Sequence, residues 1–145
     1  MIQKLERIVW PHVKSLLLQR IQDIQESQRE TNHGVVIVEA AVLLDAEWDA
    51  NELFDAIWIV RASPDTSTER LVQKRGMERE DALKRMKAQL SRRGIENWQE
   101  ELAKGAVTAV IENEGADLWD KMKECLVDPG CWKDNRCPML GDEMV

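Results

Sequence analysis

The chain has 145 residues, which is enough for one domain with a core of its own. Hydrophobic residues make up 43% and charged residues 32%, a composition typical of globular proteins and unlike that of disordered ones. No apolar run reaches the roughly 20 residues that cross a bilayer, and the charges near the N-terminus do not fit a signal peptide. We therefore expect a cytoplasmic protein without a membrane span, with mitochondrial association as an alternative.

The first predicted element is a helix over residues 2–27. Its apolar residues recur three or four positions apart, which places them on one helical face. Pro11 lies inside this pattern and predicts a kink or a break near Trp10. After a polar loop, residues 35–44 are rich in Val and Ile and apolar on both faces. This pattern predicts a parallel strand covered by helices on both sides.

Strands and helices alternate over the rest of the chain. Further strands are predicted at 55–62 and 108–113. Ser63 as N-cap, Pro64 in the first turn and Gly76 as a stop delimit the next helix. The other helices are predicted at 79–90, 95–104 and 115–126. Strands that alternate with helices predict an α/β fold with a parallel sheet.

The C-terminal residues 127–145 show no hydrophobic period, so we predict a domain at 1–126 followed by an irregular, mobile tail. Three cysteines are spaced with five residues between neighbours, and they are Cys125, Cys131 and Cys137. This spacing does not fit a zinc site, and the absence of a secretory signal argues against a disulfide framework. We expect free thiols, with oxidation or an adventitious metal as the alternative.

Positive charge is concentrated in residues 61–93. This segment holds ten Lys and Arg against five Asp and Glu, whereas the whole chain has a net charge of −7. A basic segment in an acidic protein indicates an anionic partner, and two solvated helices are the structural alternative. The segment is short and has no aromatic residue to stack on bases, so we do not expect nucleic acid as a partner.

Five blocks of sequence occur in the order found in one enzyme family. They are LERIVWPHV (5–13), VIVEAAVLLDAEWD (36–49), IWIVRASPDTSTERLVQKRGM (57–77), ALKRMKAQL (82–90) and VIEN (110–113). In these blocks the chain resembles dephospho-CoA kinase, and IVWP and AAVLLDAEW look closer to the kinase domain of the eukaryotic bifunctional coenzyme A synthase. The resemblance implies a three-layer, parallel-sheet fold like that of P-loop kinases, with a helical lid. It also implies transfer of a phosphoryl group from ATP, with Mg²⁺, to the ribose 3′-hydroxyl of dephospho-CoA.

The resemblance also implies a set of lid residues that face the phosphates of ATP. Arg85 and Gln89 match the Arg-x3-Gln of the lid segment, and Arg70 matches the arginine of the preceding helix. Ser67 stands where the family usually has Gln, three residues before that arginine. Two weaker lid candidates are basic and close in sequence, and they are Arg92 and Arg93. A guanidinium suits phosphate oxygens better than an ammonium group does.

Other candidates follow strands. The resemblance implies that Glu39 and Asp45 lie on the substrate side, near the carboxyl end of a strand, where open α/β sheets bind ligands. A capping or salt-bridging acid is the alternative for Glu39, and packing is the expected role of Trp48. Asn113 matches the Asn that lies near the adenine after the last strand. A turn before Gly115 is the alternative for Asn113.

One departure from the family bears on activity. The seven glycines include no Gly-x4-Gly-Lys-Ser/Thr arrangement, so the backbone cradle for the phosphates of ATP is missing from this sequence. We predict an N-terminally incomplete kinase with no catalytic residue and no metal ligand, inactive alone and prone to self-association through an exposed sheet edge. The alternatives are a non-catalytic paralogue that acts as a scaffold for a protein of coenzyme A synthesis, and a different P-loop nucleotide kinase.

Overall fold

The part of the chain that the structure describes consists of helices and a two-stranded sheet. The computed structural model describes residues 2–27, 35–50, 53–90, 93–94 and 96–139. The elements in chain order are α1 Ile2–Ser27, β1 Trp58–Arg61, α2 Pro64–Arg75, α3 Arg79–Leu90, α4 Trp98–Ala103, β2 Ala109–Glu112 and α5 Leu118–Val127. They belong to two compact units, Met1–Trp48 and Asp49–Val145. The predicted α/β class is confirmed.

In the first unit, α1 has the predicted bounds. It runs through Pro11 without interruption, so the alternative of a break near Trp10 is wrong. A proline removes one backbone hydrogen bond, but the other hydrogen bonds of this 26-residue helix remain, so the helix continues. Leu5, Ile8 and Leu16 of its apolar face are 61–67% exposed. The predicted period is present, but these three side chains are not in a core.

The strand predicted at 35–44 is wrong. Residues 35–40 have no regular structure and residues 41–49 form turns. The backbone N–H of Ala46 donates to the carbonyl of Val42 at 2.8 Å, and the N–H of Trp48 donates to that of Leu43 at 3.0 Å. A strand needs a neighbour for its N–H and C=O groups, and the two described strands pair with each other. Without such a partner, the backbone here makes local turn hydrogen bonds.

In the second unit, β1 and β2 form a parallel pair. Trp58 is in register with Ala109, and Arg61 is in register with Glu112. The predictions of strands at 55–62 and 108–113 are confirmed with shorter bounds. Beside the amino ends, the hydroxyl of Thr108 accepts from the N–H of Ile57 and donates to its carbonyl, both at 3.1 Å. The predicted parallel sheet is therefore confirmed with two strands instead of three.

The helix α2 begins and ends where its capping residues predict. The hydroxyl of Ser63 accepts from the backbone N–H of Thr66 at 3.2 Å, and Pro64 occupies the first turn. Gly76 has a φ of 62°, in the left-handed region, and its N–H donates to the carbonyl of Leu71. α3 packs on α2 after this turn. The chain reverses at Gly76 because glycine adopts that φ without a steric penalty.

We expect Gly76→Ala to lower the free energy of unfolding by about 1 kcal/mol, because a Cβ disfavours the left-handed conformation. Nothing lies within 4 Å of the new Cβ, so the cost comes from the backbone alone. Gly115→Ala is the matched control, because Gly115 has no positive φ and its added Cβ would meet its nearest atom at an ordinary 3.6 Å. Urea denaturation compares the two, and an equal effect of both would contradict the prediction.

Short 3₁₀ turns follow α5, at Pro129–Cys131 and Lys133–Asn135. Trp132, between them, is 7% exposed, and its ring meets that of Trp58 edge to face at 5.8 Å between centroids. The N–H of Lys133 donates to the carbonyl of Asp55 at 2.9 Å. These turns were not predicted, and they attach residues 129–135 to β1 and the residues before it. A separate, mobile segment at 127–145 stays a prediction.

Candidate functional site

Polar side chains collect at the carboxyl ends of β1 and β2. The backbone N–H of Asn113 extends the ladder by donating to the carbonyl of Arg61 at 2.6 Å. The guanidinium of Arg61 bonds the carboxylate of Glu112 at 2.6 Å and lies 4.8 Å from the ring centroid of Trp98. Open parallel sheets bind ligands at this edge because loops and helix N-termini meet there. This edge is the candidate site.

Glu114 fastens the loop after β2 to the N-terminus of α2. One carboxylate oxygen accepts from the backbone N–H of Ser63, and the other accepts from the hydroxyls of Thr66 at 2.5 Å and Ser63 at 3.1 Å. The bond from Thr66 first, and then that from the Ser63 N–H, holds the pKa of Glu114 below its usual value, and the charge of Arg70 adds to this. A helix N-terminus also favours an anion. Glu114 therefore fixes the loop beside α2 as a carboxylate.

Arg70 and Asn113 meet at this edge, although they are 43 residues apart in sequence. Nη2 of Arg70 donates to Oδ1 of Asn113 at 3.4 Å, and both side chains are half-buried. This is a long hydrogen bond, and it leaves most N–H groups of the guanidinium without a partner among the described residues. The pair can thus present a guanidinium and a carboxamide to the same ligand.

The other lid candidates are not part of this contact. Arg85 and Gln89 are exposed on α3. Within the described ranges neither makes a hydrogen bond with Arg70 or Asn113. Arg92 lies outside the described residues.

Arg93 is held in a cluster of ion pairs. Its two terminal nitrogens donate to the carboxylate of Asp49 at 2.9 and 2.8 Å, and Nε and Nη2 donate to that of Glu101 at 3.0 and 2.7 Å. Asn97 also donates to Glu101 at 3.0 Å. The hydrogen bonds with Glu101 and then Asp49 raise the pKa of Arg93, and the bond from Arg93 lowers the pKa of Glu101. The guanidinium therefore joins the segment after α3 to α4 and to Asp49.

The substrate-side candidates belong to the first unit. Glu39 is exposed and Asp45 is half-buried. Trp48 is 5% exposed, as the expected packing role requires. The structure leaves the role of Glu39 and Asp45 in substrate binding as a prediction.

The largest omission of the sequence analysis is Glu114. Ser63 was recognised as a helix cap, but nothing in the local pattern indicated that an acid 51 residues later would share its hydroxyl. A usable signal was the preference of helix N-termini for acids, applied to the Glu that follows the candidate Asn113. That Glu114 would meet α2 could be known only from the parallel pairing of β1 with β2, which brings the loop after β2 to the N-terminus of α2.

Two kinds of feature are absent from the residues that the structure describes. The described residues contain no group of three or more His, Cys, Asp and Glu side chains placed to hold a metal ion, so they do not fit a Mg²⁺ site built from protein ligands alone. Among the same residues, no helix is both long and apolar enough to cross a membrane.

The sequence profile of dephospho-CoA kinase matches residues 2–116, which is more than half of the chain. The chain belongs to the dephospho-CoA kinase family. The resemblance predicted from the five blocks is thereby confirmed, whereas the closer likeness to the eukaryotic bifunctional synthase stays a prediction. The match includes Arg70, Arg85 and Asn113, and it ends before α5.

A dephospho-CoA kinase from Geobacter sulfurreducens is 28% identical over 113 residues, which cover 78% of this chain and 50% of that protein. The chain therefore spans about half the length of this curated relative. No solved structure matches the chain at a comparable level of significance.

Proposed function

We propose that this chain supplies the nucleotide-facing side of an ATP-dependent kinase that phosphorylates the ribose 3′-hydroxyl of dephospho-CoA. The observation that carries the proposal is the contact between Arg70 and Asn113 at the carboxyl ends of the strands. The family resemblance implies that both residues face the nucleotide, and the two residues come together from separate blocks of the sequence. The match of the family profile over residues 2–116 supports the same activity.

In this proposal each side chain has a distinct task. The carboxamide of Asn113 offers a donor and an acceptor to the adenine edge, and the guanidinium of Arg70 binds phosphate oxygens. Glu114 holds the loop of Asn113 against α2, and its negative charge keeps Arg70 at this edge. Arg85 and Gln89 would approach the phosphates from α3, with Arg92 and Arg93 as weaker candidates. Bound ATP supplies the phosphoryl group.

This chain supplies only part of the rest of the proposed kinase site. Glu39 and Asp45 are proposed on the side of dephospho-CoA. We assign the phosphate cradle to no residue of this chain, because the sequence has no Gly-x4-Gly-Lys-Ser/Thr. We assign no Mg²⁺ ligand either, because no group of three or more His, Cys, Asp and Glu among the described residues is placed to hold a metal ion. We therefore propose nucleotide binding without phosphoryl transfer by this chain alone, in the cytoplasm. No observation favours the scaffold alternative over a kinase.

Nucleotide binding by two arginine variants tests the proposal. We expect Arg70→Ala to weaken the binding of ADP about tenfold, because it removes charged hydrogen bonds to the phosphates. Its binding of adenosine should change less, since adenosine has no phosphate. Arg75→Ala is the matched control, because Arg75 is an exposed arginine of the same helix, and it should change neither affinity more than about twofold. Titration calorimetry gives the six dissociation constants, for the unmodified chain and the two variants with each ligand.

Two results would contradict the proposal. One is equal ADP affinity of the Arg70 and Arg75 variants, which would mean that Arg70 does not face the phosphates. The other is the absence of ADP binding by the unmodified chain at about millimolar concentration, since even weak site-specific binding saturates there. Far-ultraviolet circular dichroism establishes that each variant is folded before its affinity is interpreted.

A further inference from the structure

The peptide unit between Glu112 and Asn113 is held on both of its sides. On one side, the N–H of Asn113 donates to the carbonyl of Arg61 on β1. The peptide is trans, so its C=O points in the opposite direction, away from β1. On that side the structure describes no strand that pairs with β2. The carbonyl of Glu112 therefore needs a side chain or water as its partner.

The side chain of Lys121 reaches this carbonyl from α5, which packs on β2. Its Nζ donates to the carbonyl oxygen of Glu112 at 2.8 Å. It also pairs with the carboxylate of Asp117 at 2.9 Å, one helical turn earlier. An ammonium group is a charged donor, and its hydrogen bonds are stronger than those of a neutral donor. Because Asp117 holds the ammonium group as well, Lys121 is fixed at the outer edge of β2.

Asn113 depends on its backbone for the direction of its side chain. The hydrogen bond between its Oδ1 and Nη2 of Arg70 is 3.4 Å long, so this bond alone fixes the carboxamide poorly. The peptide before Asn113 is held by β1 on one side and by Lys121 on the other. Lys121 lies beyond residues 2–116, so the family match implies no role for it.

We infer that Lys121 is a positioning residue for nucleotide binding. It acts without touching the nucleotide, by fixing the peptide of Asn113 so that the carboxamide meets the edge of the adenine. The inference rests on the proposed function, in which Asn113 faces the adenine and Arg70 faces the phosphates. Loss of Lys121 therefore weakens the binding of a ligand that carries the base and spares the binding of a phosphate ligand without one.

The binding of ADP and of inorganic pyrophosphate, measured by titration calorimetry, tests the inference. We expect Lys121→Met to weaken the binding of ADP about fivefold, because the peptide of Asn113 is then held on one side only. Its affinity for pyrophosphate, which has no base, should change less than about twofold. Lys121→Arg keeps a charged donor and should bind ADP within about twofold of the unmodified chain.

Lys123→Met is the matched control, because Lys123 is on the same helix. Its side chain is 67% exposed in an ion pair with Asp120, so the variant removes the same charge from an exposed pair. Its affinity for ADP should change less than about twofold. Asn113→Ala should itself weaken the binding of ADP. Adding Lys121→Met to it should have less than about a twofold further effect, because Lys121 acts through Asn113.

Three results would overturn the inference. One is that Lys121→Met binds ADP as tightly as Lys123→Met does, while Asn113→Ala binds it weakly. Another is an equal loss of affinity for pyrophosphate and for ADP, which would mean that the charge of Lys121 acts on the phosphates. The third is an equal effect of Lys121→Met with and without the Asn113 side chain, which would mean that the two act independently. If Asn113→Ala leaves the affinity for ADP unchanged, the proposed function fails, and this inference fails with it.

Far-ultraviolet circular dichroism establishes that each variant is folded. If Lys121→Met does not fold, Lys121→Gln takes its place, because its shorter side chain stays polar but has no charged donor. The same two affinities then decide the inference.

Discussion

We expect Trp132→Ala to lower the free energy of unfolding by about 3–5 kcal/mol, the usual cost of truncating a buried tryptophan. Trp132 is 7% exposed, and the substitution removes its edge-to-face contact with Trp58 and its hydrogen bond to the carbonyl of Cys125. Domains of this size are stable by only about 5–15 kcal/mol, so a large part of the folding free energy is lost. Urea denaturation followed by circular dichroism measures the change.

The matched control is Trp119→Ala on the neighbouring helix α5. Trp119 is 69% exposed, so the same substitution there should cost no more than about 0.5 kcal/mol. Trp132→Phe keeps an aromatic ring but removes the indole N–H, and should cost roughly 1–2 kcal/mol. If the Trp132 and Trp119 variants lost equal stability, residues 129–135 would not belong to the core, and the predicted loose tail would be favoured.

We expect Arg93→Met to cost about 3 kcal/mol at neutral pH. The variant leaves the carboxylates of Asp49 and Glu101, with side chains 11% and 3% exposed, without the guanidinium that bonds both. Breaking a buried ion pair from one side costs roughly 3–5 kcal/mol, and the lower end applies because the Arg93 side chain is 32% exposed. Denaturant unfolding at neutral pH measures the loss. Lys104→Ala, which breaks an exposed pair with Glu100, is the control and should cost no more than about 0.5 kcal/mol.

The pH dependence of this cost has a definite sign. The bond from Arg93 lowers the pKa of Glu101 below its ordinary value of 4.5. In the unmodified chain this carboxylate therefore contributes stability above that value and loses it as the pH falls through the lower, folded value. In Arg93→Met, burial raises the pKa of the Glu101 carboxyl and is opposed only by the smaller effects of the Lys104 charge and the hydrogen bond from Asn97, so acidification costs the variant less stability at Glu101.

The difference in unfolding free energy between the unmodified chain and Arg93→Met should consequently shrink as the pH falls below about 4.5. Arg93 itself stays charged throughout, because its pKa is raised. A difference that is constant with pH would mean that Glu101 does not depend on Arg93, and that the cluster has no stabilising charge interaction.

Arg93 also illustrates how far sequence reasoning extends at the site. The basic character of residues 61–93 selected it as a weak lid candidate, but charge in a sequence does not reveal which acids lie nearby. Asp49 is 44 residues away, and only the fold brings it to the guanidinium. Motif matching selected Arg70 and Asn113 because each belongs to a block of the family pattern. In the structure these two residues lie in contact.

Local features were determined by the sequence itself. The N-cap Ser63, Pro64 and the stop at Gly76 gave α2 its bounds, because each acts on the backbone within one helical turn. The alternation of strands and helices gave the α/β class, and five ordered blocks gave the family.

The tertiary structure alone decided the rest. Residues 35–44 have the composition of a buried strand, yet they form no strand in the described chain, since a strand depends on hydrogen bonds to a neighbour. The carboxylate of Glu114 on Ser63, the ion pairs of Arg93 and the ring of Trp132 on Trp58 all join residues more than seven positions apart. Local patterns cannot encode such contacts, because they exist only after parallel pairing and packing bring distant segments together.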